Sequence, residues 1–148
     1  MSNPTKIINS ILVDLFKHIL DIEEKSLRSR GITDLSMNEM HTIEAIGYED
    51  IKSMTETAEI LRITVGTLTT SVNRLVKKGY VERLRDESDR RIVLIKLTEN
   101  GKEVFKIHEQ FHIEMVEKLL EDLNLEEDTA LIGSLEKLKH FFDEKYRE

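Results

Sequence analysis

The chain has 148 residues, a formal net charge of −7, 39% hydrophobic and 34% charged residues, six glycines and one proline, a balance that predicts one helix-rich globular domain. It contains no cysteine, which excludes disulfides, thiolate metal centres and thiol catalysis. The opening MSNPTKIINS has neither a basic nor an apolar leader region and no stretch approaches a membrane span, so the sequence reads as a soluble cytoplasmic protein without a membrane partner.

Apolar residues at Ile8, Leu12, Leu15, Ile19 and Ile22, widened by Ile11 and Phe16, predict an amphipathic helix from Thr5 to about Arg28. The RGITD stretch breaks it. Ser36 with Glu39 behind it is a capping-box pattern for a second helix, which carries Met37, Met40, Ile43 and Ile46 inward and stops at Gly47. A third helix starts at SMTETAEIL, capped by Ser53 or Thr55, with Ala58, Ile60 and Leu61 toward the core. After the short break RIT, a fourth runs from Val65 to Lys78 with Val65, Leu68, Val72, Leu75 and Val76 as its buried stripe. Helix, tight turn, helix is the spacing of a helix-turn-helix.

Gly79 supplies a helix-ending glycine, and YVERLR and IVLIKL flank a charged loop as two short strands, a β-hairpin wing. Thr98 with Gly101 behind it opens a long helix carrying Val104, Ile107, Phe111, Met115 and Leu119, and after NLEED a last helix carries Leu131, Leu135, Leu138 and Phe142. The expected fold is mainly α with a small β-hairpin wing: a winged helix-turn-helix core over 36–98, framed by terminal helices over 5–30 and 102–146, in a single domain over 1–148. The terminal helices have broader apolar stripes than so small a head can cover, which predicts a homodimer formed through them, the alternative being intrachain packing of the first helix against the last.

Charge is unevenly placed. Arg62 to Arg91 holds eight Lys/Arg against four Asp/Glu in a chain that is acidic elsewhere, the footprint expected of a surface that meets nucleic acid. On the fourth helix Thr64, Thr67, Thr69, Thr70, Ser71, Asn73 and Arg74 form an outer face of short hydroxyls, an amide and a guanidinium, groups sized for base edges and phosphates in a major groove. An ordinary solvated face would favour Glu and Lys, and this one has neither before Lys77. On the wing Arg85, Arg90 and Arg91 suit a narrow minor groove. Asp89 would repel phosphate, so its expected task is to fix a neighbouring arginine by a charge-assisted hydrogen bond.

The segment KGYVERLRDESDRRIVLIKLTENGKEV, following a helix-turn-helix, resembles the winged-helix core of MarR-type transcriptional regulators. Their wing carries Asp-x-x-Asp-Arg-Arg and then a Leu-Thr-x-x-Gly helix start, matched here by Asp86, Asp89, Arg90, Arg91, Leu97, Thr98 and Gly101. The resemblance spans the order of all the helices. It implies a homodimer facing successive major grooves of a pseudo-palindromic DNA operator, with Arg90 entering the minor groove and Asp89 orienting the wing.

Two branches of that family differ in what they sense. One responds to zinc, and its ligands imply a metal site here at Glu24, His41, His108 and His112, a donor set that suits tetrahedral zinc. The other represses fatty-acid synthesis genes in response to acyl chains on acyl carrier protein. LDIEEKSLR, LSMNEMHTIEAIG, TVGTLTTSVNRLVKKGYVERLRDESDRR and HEQFHIEMVEKLLEDL are similar to it, a closer resemblance than that to the zinc branch. For the histidines the alternatives are a hydrogen-bonded cluster without metal and, because HEQFH spells H-E-x-x-H, a zinc peptidase with Glu109 as general base. A protein-interaction module that kept the fold and lost its DNA is a third class. The reading carried forward is a DNA-binding regulator, not an enzyme, that requires no cofactor.

Overall fold

In the computed structural model, which describes residues 3–146, six helices and three short strands follow one another as α1 (Pro4–Ser29), α2 (Met37–Ile46), β1 (Lys52–Ser53), α3 (Met54–Leu61), α4 (Val65–Lys78), β2 (Val81–Arg85), β3 (Val93–Leu97), α5 (Glu99–Leu123) and α6 (Thr129–Lys145). The chain forms two compact units that divide inside α5, between Phe111 and His112. Among the described residues no helix is long and apolar enough to cross a membrane.

Local chemistry places the helix ends where the sequence signals them. Ser36 accepts from the Glu39 amide at 3.1 Å. Ser53, rather than Thr55, caps α3 in a complete capping box with Glu56. The Thr64 hydroxyl accepts from the Thr67 amide at 3.1 Å and opens α4, and Gly79 closes it at φ 86°. Between α3 and α4 the backbone turns at Arg62 in the left-handed region, φ 57°. Each cap satisfies amides or carbonyls that a helix end leaves orphaned.

The first unit is built round Met40, Ile43, Ile46, Leu68, Val72, Leu75 and Ile95, all fully buried. This joins α2, α4 and the sheet into one core, against which Val104 of α5 also packs. Two expected core residues lie outside it: Ile60 is 54% exposed and Val65 is 44% exposed. The eight-residue α3 turns Thr57 and Ala58 inward, which leaves Ile60 on its other side, and Val65 projects from the first turn of α4, ahead of Leu68. Along α1 only Glu23 and Leu27 are buried, while Ile8, Ile11, Leu15 and Phe16 are more than half exposed.

The sheet has the order β1-β3-β2, all antiparallel, with Arg83 opposite Ile95 in the hairpin and Lys52 opposite Ile95 on its other edge. Strand β1 is a third strand that the sequence does not announce. Its Lys52 ammonium donates to the Ala45 and Ile46 carbonyls at 3.0 and 2.8 Å, so one residue both pairs with β3 and caps the end of α2. The second unit contains α6, capped by Asp128, with Leu135, Phe141 and Phe142 exposed along it.

Candidate nucleic-acid interface

Three elements of the first unit hold the basic surface in place. The inner face of α4 is fixed by Leu68, Val72 and Leu75, and the hydroxyls of Thr42 and Ser71 meet at 3.1 Å between α2 and α4. Ser71 therefore faces α2 instead of standing on the outer face. At the C-terminal end of α4, Lys78 donates to Glu39 at 2.7 Å and to the Asp34 carbonyl, and the Tyr80 hydroxyl donates to Asp34 at 2.8 Å. Burial, with the Asp34 hydrogen bond behind it, pushes the Tyr80 phenol up to about 12, so this tether stays intact through neutral pH.

With its inner face fixed, α4 exposes Gly66, Thr67, Thr70, Asn73, Arg74 and Lys77. Thr64 is also exposed and Thr69 half-buried. The amide oxygen of Asn73 accepts a short hydrogen bond from Arg83 of β2. That leaves the Asn73 NH2 as the outward group, a donor for phosphate or a base acceptor. Arg83 was not among the expected interface residues: read locally it is one more strand residue, and only the packing of hairpin against helix brings it to Asn73.

The wing loop is built from its own acids. The Asp86 carboxylate accepts from the Ser88 amide at 2.8 Å, the Ser88 hydroxyl at 2.6 Å and the Asp89 amide at 3.4 Å. Asp89 takes Arg91 in a two-pronged pair, Nε and Nη2 each at 3.1 Å, and accepts from the Arg91 amide as well. The arginine that Asp89 fixes is thus Arg91. These bonds hold both carboxyls below the ordinary aspartate range, through Ser88 for Asp86 and through Arg91 for Asp89. Arg85 donates to the Arg90 carbonyl at 3.3 Å. The Arg90 side chain is exposed and has no protein partner among the described residues, so the loop presents one uncommitted guanidinium at its tip.

Removing the Asp89 charge should by simple Coulomb attraction strengthen DNA binding. We expect the reverse: Asp89→Ala should weaken it, because Arg91 and the loop lose their anchor. An affinity equal to or above that of the native protein, in a titration at fixed salt, would remove this role. Both carboxyls have depressed pKa values, so their contribution is present above about pH 4 and is lost as pH falls below it. The wing should accordingly be insensitive to pH between about 5 and 8.

The histidines sit elsewhere. Glu23, 4% exposed, places one carboxylate oxygen 3.6 Å from His41 Nε2 and the other 3.7 Å from Nε2 of the fully buried His108, which also lies 3.5 Å from Glu44. The carboxylate that α1 contributes to this cluster is Glu23, not the expected Glu24. On α1 the buried side is the one that carries Glu23 and Leu27, and the next residue turns about 100° away. Glu24 points to solvent and pairs with Arg28 at 2.6 Å. His112 follows His108 one turn along α5. Glu109, the general base of a peptidase reading, is paired with Lys106 at 3.1 Å.

A family model for transcriptional regulators of the SarA/Rot type matches residues 29–108. Among solved structures, the chain is similar to Streptococcus pneumoniae FabT in complex with DNA, with 38% sequence identity, a TM-score of 0.88, and 97% of this chain and 99% of that one covered. It is 34% identical to the HTH-type transcriptional regulator BilQ of Clostridium symbiosum over 116 residues, 78% of each chain. It is also 34% identical to the multiple antibiotic resistance protein MarR of Escherichia coli over 84 residues, 56% of this chain and 58% of that one. These relatives are regulators and not enzymes. With its hairpin wing set beside a solvent-facing second helix of a helix-turn-helix, the chain belongs to the MarR-type family of winged-helix, DNA-binding transcriptional regulators.

Proposed function

We propose that the protein is a repressor that binds a pseudo-palindromic operator as a homodimer and controls fatty-acid synthesis genes in response to acyl chains on acyl carrier protein. The observation that carries this reading is the similarity to the DNA-bound FabT structure over 97% of the chain. The exposed apolar face of α1, with Ile8, Ile11, Leu15 and Phe16, supports the dimer, because a contiguous apolar stripe in water calls for a cover. Two copies related by a two-fold axis would set two α4 helices one DNA turn apart. The test is affinity for an operator duplex with acyl carrier protein added in its acylated and free forms. A change with the acylated form alone is expected, and identical curves for both would reject the acyl effector.

A second reading, a zinc-responsive regulator, is favoured by one observation. Glu23 stands between two imidazoles, one carboxylate oxygen 3.6 Å from His41 Nε2 and the other 3.7 Å from His108 Nε2, and a carboxylate with two imidazoles is a donor set that suits zinc. Metal analysis of purified protein, with operator affinity before and after chelation, separates the two effectors. About one zinc per chain whose removal alters affinity selects the metal, and no metal with no chelator effect rejects it.

A further inference from the structure

The outer face of α4 is rich in threonine, but the hydroxyl protons of Thr64, Thr69 and Thr70 are already engaged within the protein. Thr69 donates to the Val65 carbonyl at 2.8 Å and Thr70 to the Gly66 carbonyl at 3.4 Å. The Thr64 hydroxyl donates to the Thr67 hydroxyl at 2.9 Å and accepts from its amide. A threonine side chain offers two vertices beyond Cβ, and when the hydroxyl is turned back to its own helix the methyl is left for a partner. Beside these methyls Val65 is 44% exposed. A surface that looks polar in sequence is thus substantially apolar toward solvent.

Gly66 stands in the same turn without a reason internal to the fold. Its φ is not in the left-handed region, and a Cβ built there would meet only the Thr64 hydroxyl oxygen, at 3.9 Å. Alanine would fit, and glycine within a helix is less stable than alanine. The protein gives up stability at this position and gains a groove in the helix surface beside the Thr70 methyl. A glycine of this kind suits close approach of another molecule's backbone or ring.

We propose that Gly66 and the methyls of Thr69 and Thr70 form a specificity-determining contact that selects thymine by its 5-methyl group. That methyl is the one apolar feature of the major groove, and apolar side chains recognise it. Asn73, Arg74 and Lys77, further along the same face, keep the polar contacts. This inference rests on the DNA-binding reading and adds which base feature the first turns of α4 select.

The test starts from a duplex selected out of a random pool by the native full-length protein. Each thymine is replaced in turn by deoxyuridine, which deletes only the methyl group. At one or two positions in each half-site the affinity should fall about three- to fivefold. Thr70→Ser, which keeps the hydroxyl and deletes the methyl, should lose the preference for T over U, while Thr70→Val should retain it. Gly66→Ala should raise the melting temperature by about 1 to 4 °C and weaken binding to the selected duplex at least about tenfold, the effect of a steric block at a close approach. Uridine tolerated at every position, or a T-over-U preference kept by Thr70→Ser and lost by Thr70→Val, would overturn the thymine contact while leaving DNA binding intact. A pool that yields no enriched sequence would overturn operator recognition itself, and the thymine contact with it.

Discussion

Gly101→Ala should be among the most damaging single substitutions in this protein, lowering stability by about 3 kcal/mol or more. A Cβ at residue 101 would lie 2.1 Å from the Tyr80 carbonyl oxygen and 3.2 Å from the Leu97 Cβ, and neither backbone nor strand can retreat freely. That carbonyl accepts from the Thr98 amide at 3.0 Å, and the Thr98 hydroxyl bridges the Gly79 carbonyl at 2.6 Å and the Gly101 amide at 3.2 Å. Overpacking of a filled site costs about 1 to 3 kcal/mol, and each hydrogen bond broken with it about 1 kcal/mol more. At about 2 to 4 °C per kcal/mol, thermal unfolding should shift downward by roughly 6 to 12 °C. Since Gly79 and Tyr80 join α4 to β2, operator affinity should fall in the same variant. A melting temperature within about 2 °C of the native value would show that the junction between wing and α5 is not held as described.

Arg90→Ala should produce the opposite pattern: little change in stability and a large change in DNA binding. The side chain is exposed and without a protein partner among the described residues, so nothing folded depends on it, and surface changes of this kind stay within about 0.5 kcal/mol. An arginine entering a narrow minor groove meets concentrated negative potential, and its loss should cost about 1 to 3 kcal/mol, or roughly 5- to 150-fold in affinity, for each wing that inserts. Arg91→Ala should cost less at the groove and more in loop order, because Arg91 is engaged with Asp89. An unchanged dissociation constant for Arg90→Ala at fixed salt would remove Arg90 from the interface.

The features that could be read from sequence are those decided by local chemistry. Ser36, Ser53, Thr64 and Gly79 end or begin helices by bonds within a few residues of themselves, and the hairpin follows from two β-rich runs around a charged loop. What could not be read depends on packing between distant segments. Lys52 and Ser53 have no strand signature, and they pair because β3 offers a free edge. Arg83 meets Asn73 only once the hairpin folds onto α4. The carboxylate of α1 beside the histidines is Glu23 where Glu24 was expected, since a single helical step carries a side chain from core to solvent. Ile60 and Val65 fit the apolar period, but short helices at the edge of a small core leave such positions uncovered. The threonine-rich composition of the α4 face was legible, while the inward turn of the Thr69 and Thr70 hydroxyls was not, because a rotamer leaves no trace in composition.

The proposed DNA-reading surface is the α4 face together with the wing, on an otherwise acidic protein. Affinity for the selected duplex and for a scrambled one, measured between 50 and 200 mM salt, decides whether that surface meets DNA. If Arg74, Lys77 and the wing arginines of two subunits neutralise phosphates, log affinity should fall linearly with log salt, by at least about a hundredfold across this range, with the selected duplex bound about 10³-fold or more tightly throughout. A flat salt dependence, with equal affinity for both duplexes, would contradict the assignment of this surface to DNA.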